Sequence, residues 1–322
     1  MKAIRIEKTG GPEVLTLEDV DLAAPGAGEV RVRHTAIGVN FIDTYQRSGL
    51  YPVSLPFTLG QEAAGVVEAV GRGVTDVRAG DRVAYCSILG AYAEANNVPA
   101  GRLVKLPAGI SEEIAAASLL KGMTAQYLLK RTYAVQSGQT ILFHAAAGGV
   151  GLIACQWARH LGATVIGTVG SDDKVALAEA NGCTHVLNTR TEEWSKRVRV
   201  LTGGTGVPVV YDSIGKETFE GSLDCLAVRG MLVSFGNSSG AVAPFAPGLL
   251  GTKGSLYLTR PVLGHYTRTE HELQDTANDL FAVIQSGAVK TAINQRFPLA
   301  QAREAHEALH SRATTGATIL IP

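Results

Sequence analysis

The chain reads as an α/β protein in which a doubly wound parallel sheet is joined to a second, mainly β body. Three observations predict this. The run Thr140-Ile141-Leu142-Phe143-His144-Ala145-Ala146-Ala147-Gly148-Gly149-Val150-Gly151 has the pattern of a buried strand, a tight glycine turn and the start of a helix. From residue 140 to residue 235 strand and helix patterns alternate, and repeated βαβ units imply parallel strands with right-handed crossovers. The first hundred residues instead alternate apolar and polar side chains at 30–39 and 64–70, punctuated by Gly10-Gly11-Pro12, Pro25-Gly26, Gly71-Arg72-Gly73 and Ala79-Gly80-Asp81.

Each element follows from local chemistry. A helical insertion is expected from Asn40 to Gly49 within the strand-rich part. Ser111-Glu112-Glu113 reads as the cap of an alanine-rich helix, with acidic side chains at the positive end of its dipole. A longer helix is expected at about 122–133. Strands follow at 140–145, 164–169, 184–188, 208–212 and 229–235, and helices at 149–161, 173–181, 191–200 and 216–226. Residues 255–259 read as a sixth strand and 270–286 as a helix. The tail from Thr291 reads strand, helix, strand, in the texture of the first region. We therefore expect the chain to return and complete the first body, with a substrate cleft between the two.

The glycine turn points to a dinucleotide. It would bring bare N–H groups and the positive end of a helix dipole to a diphosphate, and glycine is required where a side chain would block that approach. Composition sets limits. With 29 basic and 29 acidic residues the formal net charge is zero, which argues against nucleic-acid or anionic-membrane partners. The N-terminus lacks the apolar run of a signal peptide, and no stretch reaches membrane-spanning length. Four scattered cysteines without a CxxC pair suggest a reducing, cytoplasmic setting.

Spaced motifs then narrow the reading. Gly11-Pro12-Glu13-Val14-Leu15, Ile37-Gly38-Val39-Asn40-Phe41-Ile42-Asp43-Thr44-Tyr45, Arg47-Ser48-Gly49-Leu50-Tyr51-Pro52, Gly60-Gln61-Glu62-Ala63-Ala64-Gly65, Ala79-Gly80-Asp81-Arg82-Val83, Val233-Ser234-Phe235-Gly236-Asn237-Ser238-Ser239-Gly240 and Ser311-Arg312-Ala313-Thr314 run over nearly the whole chain. Together they resemble the medium-chain dehydrogenase/reductase superfamily, in its quinone oxidoreductase (zeta-crystallin-like) branch. The resemblance implies a GroES-like β-barrel catalytic domain at 1–121, a Rossmann domain at 122–265, a return segment at 266–322 completing the first, and a homodimer. It also implies NADPH as cofactor and a small-molecule quinone or enone as substrate.

Zinc members of that superfamily carry a cysteine after the first crossing and a Gly-His-Glu motif. This chain has Asn40-Phe41-Ile42-Asp43 and Gly60-Gln61-Glu62 in those places, and the cysteines of a structural zinc lobe are missing, so no metal is expected. One motif pulls the other way. His306-Glu307-Ala308-Leu309-His310 spells H-E-x-x-H, a zinc-protease signature, but no third ligand follows it and a solvated helix face is the plainer expectation.

The second strand of the sheet ends at Val169-Gly170, followed by Ser171, Asp172, Asp173 and Lys174. A small residue leaves room for a 2′-phosphate and Lys174 supplies charge, whereas an acid would favour NAD. Asp172 and Asp173 lie at about the NAD spacing and are read as first-turn helix residues. Related NADPH enzymes resemble the chain in Gly170 and Lys174 but carry Asn-Tyr-Arg where this one has Asn188-Thr189-Arg190; Arg190 is expected to compensate.

The resemblance places Tyr45, Tyr51 and Asn40 as donors to a developing oxyanion, with Asp43 orienting neighbours and Gln61 hydrogen-bonding within the site. It assigns Asn40, Phe41, Ile42, Asp43, Thr44, Tyr127, Gly148, Gly149, Val150, Gly170, Ser171, Lys174, Thr189, Arg190, Gly236, Asn237, Ser238, Ser239, Pro261, Val262, Leu263 and Arg312 to the cofactor. The leading function is hydride transfer from NADPH to quinones. Reduction of α,β-unsaturated ketones or aldehydes is the alternative, and a non-catalytic nucleotide- or RNA-binding relative is a third.

Overall fold

A computed structural model describes all residues from Met1 to Pro322. In chain order it begins with β1 (Lys2–Ile6), β2 (Thr16–Asp19), β3 (Glu29–Val39), α1 (Phe41–Ser48), β4 (Phe57–Thr58), β5 (Glu62–Val70), β6 (Arg82–Cys86), β7 (Ala95–Pro99), β8 (Val104–Lys105) and α2 (Glu112–Tyr127). It continues with β9 (Thr140–Phe143), α3 (Gly149–His160), β10 (Thr164–Val169), α4 (Val175–Ala180), β11 (His185–Asn188), α5 (Trp194–Leu201), β12 (Val207–Asp212), α6 (Phe219–Cys225), β13 (Leu226–Ser234), α7 (Gly248–Thr252) and β14 (Tyr257–Thr259). It closes with α8 (Leu263–Tyr266), α9 (Glu270–Gln285), β15 (Ile293–Pro298), α10 (Ala302–His310) and β16 (Ala317–Ile321).

Two compact units emerge. The first comprises Met1–Met123, Thr267–Gln285 and Thr291–Pro322. Its larger sheet runs β15-β16-β3-β5-β6-β8, with β7 on the first half of β3, and a smaller sheet runs β2-β1-β4. The returning tail is stitched in directly: β16 lies antiparallel to β3, with Ile319 opposite Gly38. Alternation along the first part of β3 buries Val30 and Val32, and after a register shift the wholly buried end adds Ile37; they pack with Val67, Val83, Tyr85, Tyr92 and, from the tail, Leu299 and Leu320. That interior is apolar enough to drive closure of the unit.

The second unit comprises Thr124–Tyr266 and Ser286–Lys290. Its sheet is parallel throughout, in the order β11-β10-β9-β12-β13-β14. The order reverses between β9 and β12, and in such sheets ligands bind at the carboxyl ends of the strands beside that switch. Leu142, Ile166, Val210 and Leu232 from the strands pack with Val198, Phe219 and Leu223 from helices.

Two expectations need correction. The helices expected from Ser111 and at 122–133 are one helix, α2, ending in a single wide turn at Leu128–Thr132. Gly122 does not start a helix; it lies inside one, where glycine is kept because a Cβ would strike the Leu280 side chain. Nor is the H-E-x-x-H face solvated: His306 is fully buried and only His310 is exposed. No helix is long and apolar enough to cross a membrane.

Candidate active site

In the second unit the glycine turn joins β9 to α3. Ala145 sits in the left-handed region at φ 53°, and its carbonyl accepts the Gly148 N–H at 2.9 Å. Gly148 caps α3 and Gly149 begins it. A Cβ on Gly151 would fall on the carbonyl oxygens of Ala145 and Ala146, so glycine there permits the tight approach of helix to strand. The first N–H groups of a helix have no intrahelical acceptor. At Gly149 and Val150 these groups stand at the positive end of the α3 dipole, the kind of backbone position that can hold an anion.

A buried polar network lies directly behind the turn. The His144 ring reaches Thr168 Oγ1 at 2.8 Å and Ser222 Oγ at 2.9 Å. Ser222 donates to Asp212 Oδ2 at 3.0 Å, as does Thr218 at 2.8 Å. Asp212 Oδ1 takes the N–H groups of Ile214 and Gly215. Burial pushes the His144 ring toward its neutral form. This Ser-His-Asp trio is no nucleophile set, since the Ser222 hydroxyl is directed to Asp212 and all three are buried. Its effect is to fix the segment after β12. That segment in turn accepts Ser238 N–H at Ser213 O and Ser239 N–H at Ile214 O, holding the Gly236, Asn237, Ser238 and Ser239 loop.

At the tip of β10 a Cβ built on Gly170 would meet nothing within 4 Å, so the space beside it is open. Ser171 and Lys174 are half-buried beside it in sequence. Asp172 Oδ1 accepts Asn188 Nδ2 at 2.7 Å, and Asn188 Oδ1 accepts the Arg190 N–H at 3.0 Å. Asp172 is therefore tied to the neighbouring strand end. Thr189 turns its hydroxyl onto Val169 O, while the Arg190 side chain is exposed.

Tyr127 is buried and stacks on Tyr266, ring centroids 4.5 Å apart and 13° from parallel. Beyond β14, Pro261 and Leu263 are buried and Val262 is exposed.

The first unit gathers the other candidates. Gly38 lacks a side chain because a Cβ there would strike Glu62 Oε2 and Ala116 O. Glu62, fully buried, accepts Asn40 Nδ2 at 2.9 Å, Lys121 Nζ at 3.1 Å and the Leu120 N–H at 2.6 Å. Asn40 caps α1, and its own N–H donates to Asp43 Oδ2 at 2.8 Å. Tyr92 donates to the same oxygen at 3.0 Å. Burial pushes the Asp43 carboxyl up to about 7, against the two hydrogen bonds and Lys121, which favour its charge. Tyr45 and Tyr51 meet edge to face at 5.2 Å between centroids, and Tyr51 N–H donates to Tyr45 O. Thr44 is buried, Ile42 half-buried and Phe41 exposed. Gln61 is buried between Gly60, where a Cβ would strike the Tyr92 ring, and Glu62. Arg312 lies on the turn after α10 at φ 59°.

Sequence reasoning missed Lys121 and Tyr92. Lys121 did leave a signal, as one cation in the apolar run 114–123; Tyr92 left none. No three His, Cys, Asp or Glu side chains gather into a group able to hold a metal ion.

The family described as "Alcohol dehydrogenase GroES-like domain" matches residues 26–108, and "Zinc-binding dehydrogenase" matches residues 149–282. The chain is 55% identical to a quinone oxidoreductase of Pseudomonas aeruginosa over 100% of itself and 99% of that protein. It is 46% identical to a 2-haloacrylate reductase of Burkholderia over 98% of each. Its structure matches a crystal structure of Escherichia coli quinone oxidoreductase complexed with NADPH at a TM-score of 0.98, 53% identity and full coverage of both chains.

Proposed function

This chain belongs to the quinone oxidoreductase family of the medium-chain dehydrogenases, and from that membership we propose that it reduces quinones with NADPH without a metal. One observation carries the proposal: the full-length match, at TM-score 0.98, to a quinone oxidoreductase in complex with NADPH. The residues present suit that cofactor, since the α3 N-terminus offers unshielded amides to a diphosphate and Gly170 leaves open space for a 2′-phosphate.

When bound, NADPH supplies a hydride. The protein's part is to bind, orient and exclude water. Gly148, Gly149 and Val150 would hold the diphosphate through backbone N–H groups. Gly170, Ser171, Lys174, Thr189 and Arg190 would receive the 2′-phosphate, with Lys174 as a point charge. Tyr127, Gly236, Asn237, Ser238, Ser239, Pro261, Val262, Leu263 and Arg312 remain our candidates for the rest of the dinucleotide, with 40–44 for the nicotinamide end. Tyr45 and Tyr51 are assigned as donors to the oxyanion that develops on the acceptor, and Asn40 is held for the same task by Glu62. A quinone is electrophilic enough that such donors replace a Lewis acid.

The 46% identity to a 2-haloacrylate reductase favours a second reading, reduction of an activated alkene. A steady-state panel of benzoquinone, naphthoquinone, simple enones and 2-chloroacrylate tests both. Turnover of quinones with NADPH is expected; turnover of alkenes alone would select the second reading.

We also propose a homodimer formed through β14, an edge strand whose Tyr257 is 53% exposed, next to β13 whose Val228 is 76% exposed, and a cytoplasmic setting suited to four unpaired thiols.

A further inference from the structure

His306 belongs to a motif that the reaction leaves unexplained, and its surroundings give it a role. Arg47 Nη1 lies 3.0 Å from His306 Nδ1. A guanidinium can only donate, so Nδ1 accepts and the ring's proton stands on Nε2. His306 Nε2 lies 3.0 Å from the Tyr92 hydroxyl and therefore donates to it. Tyr92 in turn donates to Asp43 Oδ2. The chain Arg47 → His306 → Tyr92 → Asp43 thus has one allowed direction. All four side chains are almost wholly buried, so no water competes for these bonds. The chain joins α10, from the returning tail, to the loop before β7 and to α1. It ends on the oxygen that also takes the Asn40 N–H, while Asp43 Oδ1 is buried without a partner.

We propose that Arg47, Tyr92 and His306 are positioning residues for the reaction: their one-way hydrogen-bond chain holds Asp43 as the acceptor that fixes Asn40 at the head of α1. This rests on the assignment of Asn40 and Asp43 to the reacting site. The first histidine of the H-E-x-x-H sequence is then a buried neutral relay. Burial drives it down to about 3 and the Arg47 charge adds to that effect, so it keeps the same tautomer across the physiological range.

The groups that bear on the Asp43 carboxyl are Tyr92, Lys121 and Glu62, together with the Asn40 N–H; Arg47 and His306 act through Tyr92. Burial and Glu62 disfavour its charge, while the Asn40 N–H, Tyr92 and Lys121 favour it. Removing the Tyr92 hydroxyl must therefore raise its titration further.

Full-length, cofactor-free protein carrying 13C at the aspartate carboxyl carbons tests this, with Asp43→Asn identifying the Asp43 resonance. We expect Tyr92→Phe and His306→Leu to raise its midpoint by about one unit. His306→Gln, which keeps one acceptor and one donor, is expected to restore it. The pH profile of kcat for quinone reduction should move by the same amount, with KM for NADPH unchanged. An unmoved Asp43 midpoint in Tyr92→Phe would overturn the relay itself. A displaced midpoint with an unmoved kcat profile would remove Asp43 from the site and leave the quinone reductase assignment standing. If His306→Leu fails to fold, Tyr92→Phe against His306→Gln gives the same decision.

Discussion

Replacing Lys121 with methionine isolates the buried ion pair that organises the first unit. Lys121 and Glu62 have side chains only 6% and 0% exposed, 3.1 Å apart. Removing one member of such a pair strands the other charge in the interior, at about 3–5 kcal/mol. Glu62 keeps two donors after the change, Asn40 Nδ2 and the Leu120 N–H, so the lower end applies, about 3 kcal/mol. For a unit of this size that corresponds to a fall of roughly 6–12 °C in melting temperature. Differential scanning calorimetry on Lys121→Met, Glu62→Gln and the double variant reads the effect. The double variant removes both charges and should recover at least about 1 kcal/mol relative to the sum of the singles. A Lys121→Met protein that melts within a degree of wild type would show that Glu62 is not left as an uncompensated buried charge.

Lys174→Ala should raise KM for NADPH about tenfold and leave KM for NADH unchanged, a half-exposed charge to phosphate being worth about 1–1.5 kcal/mol; steady-state kinetics with each nucleotide separates these. Gly170→Asp should turn preference toward NADH without changing the melting temperature, because the new side chain enters open space, and a large stability loss would show that the space is misassigned. Ala145→Gly should be stability-neutral or stabilising by up to about 1 kcal/mol, since relief of the left-handed conformation at φ 53° offsets added freedom in the unfolded chain. Acid stability carries a histidine signature. His306 and His34 are held down to about 3 and about 4 by burial, so each binds its proton more readily when unfolded. Their contribution is fully present above the unfolded value near 6.5 and is lost as pH falls from there toward 4. Asp43, pushed up to about 7, has the opposite sign between about 4 and 7. His306→Gln should therefore lower the slope of stability against pH between 4 and 6.5 by one proton, about 1.4 kcal/mol per unit; an unchanged slope in urea titrations would contradict the burial of a neutral ring.

The parallel sheet was legible because its signal is local and repeated: each strand of the second unit is a short apolar run before a helix, and the glycine turn marks the first crossing. The start of α2 at Ser111 was legible from its cap, but its run through Gly122 was not, because the Leu280 side chain that occupies the space of a Cβ there lies far along the chain. His306 could have been placed. Ala302, Ala305, His306 and Leu309 share the i, i+3, i+4, i+7 face of α10, and that face is the buried one. The glycine-rich half of the candidate site follows from backbone requirements and so shows in sequence. The buried half does not, because the contacts of Glu62 with Lys121 and of Asp43 with Tyr92 join residues 59 and 49 positions apart, and no periodicity encodes such pairings.

The most direct test of the whole account is a single-turnover experiment on protein treated with a chelator and freed of it. NADPH-loaded protein is mixed with excess 1,4-benzoquinone and absorbance followed at the nicotinamide band. The account predicts loss of one NADPH per hydroquinone formed, at the rate measured before chelation. Retained NADPH, or activity that returns only when zinc is added back, would contradict it.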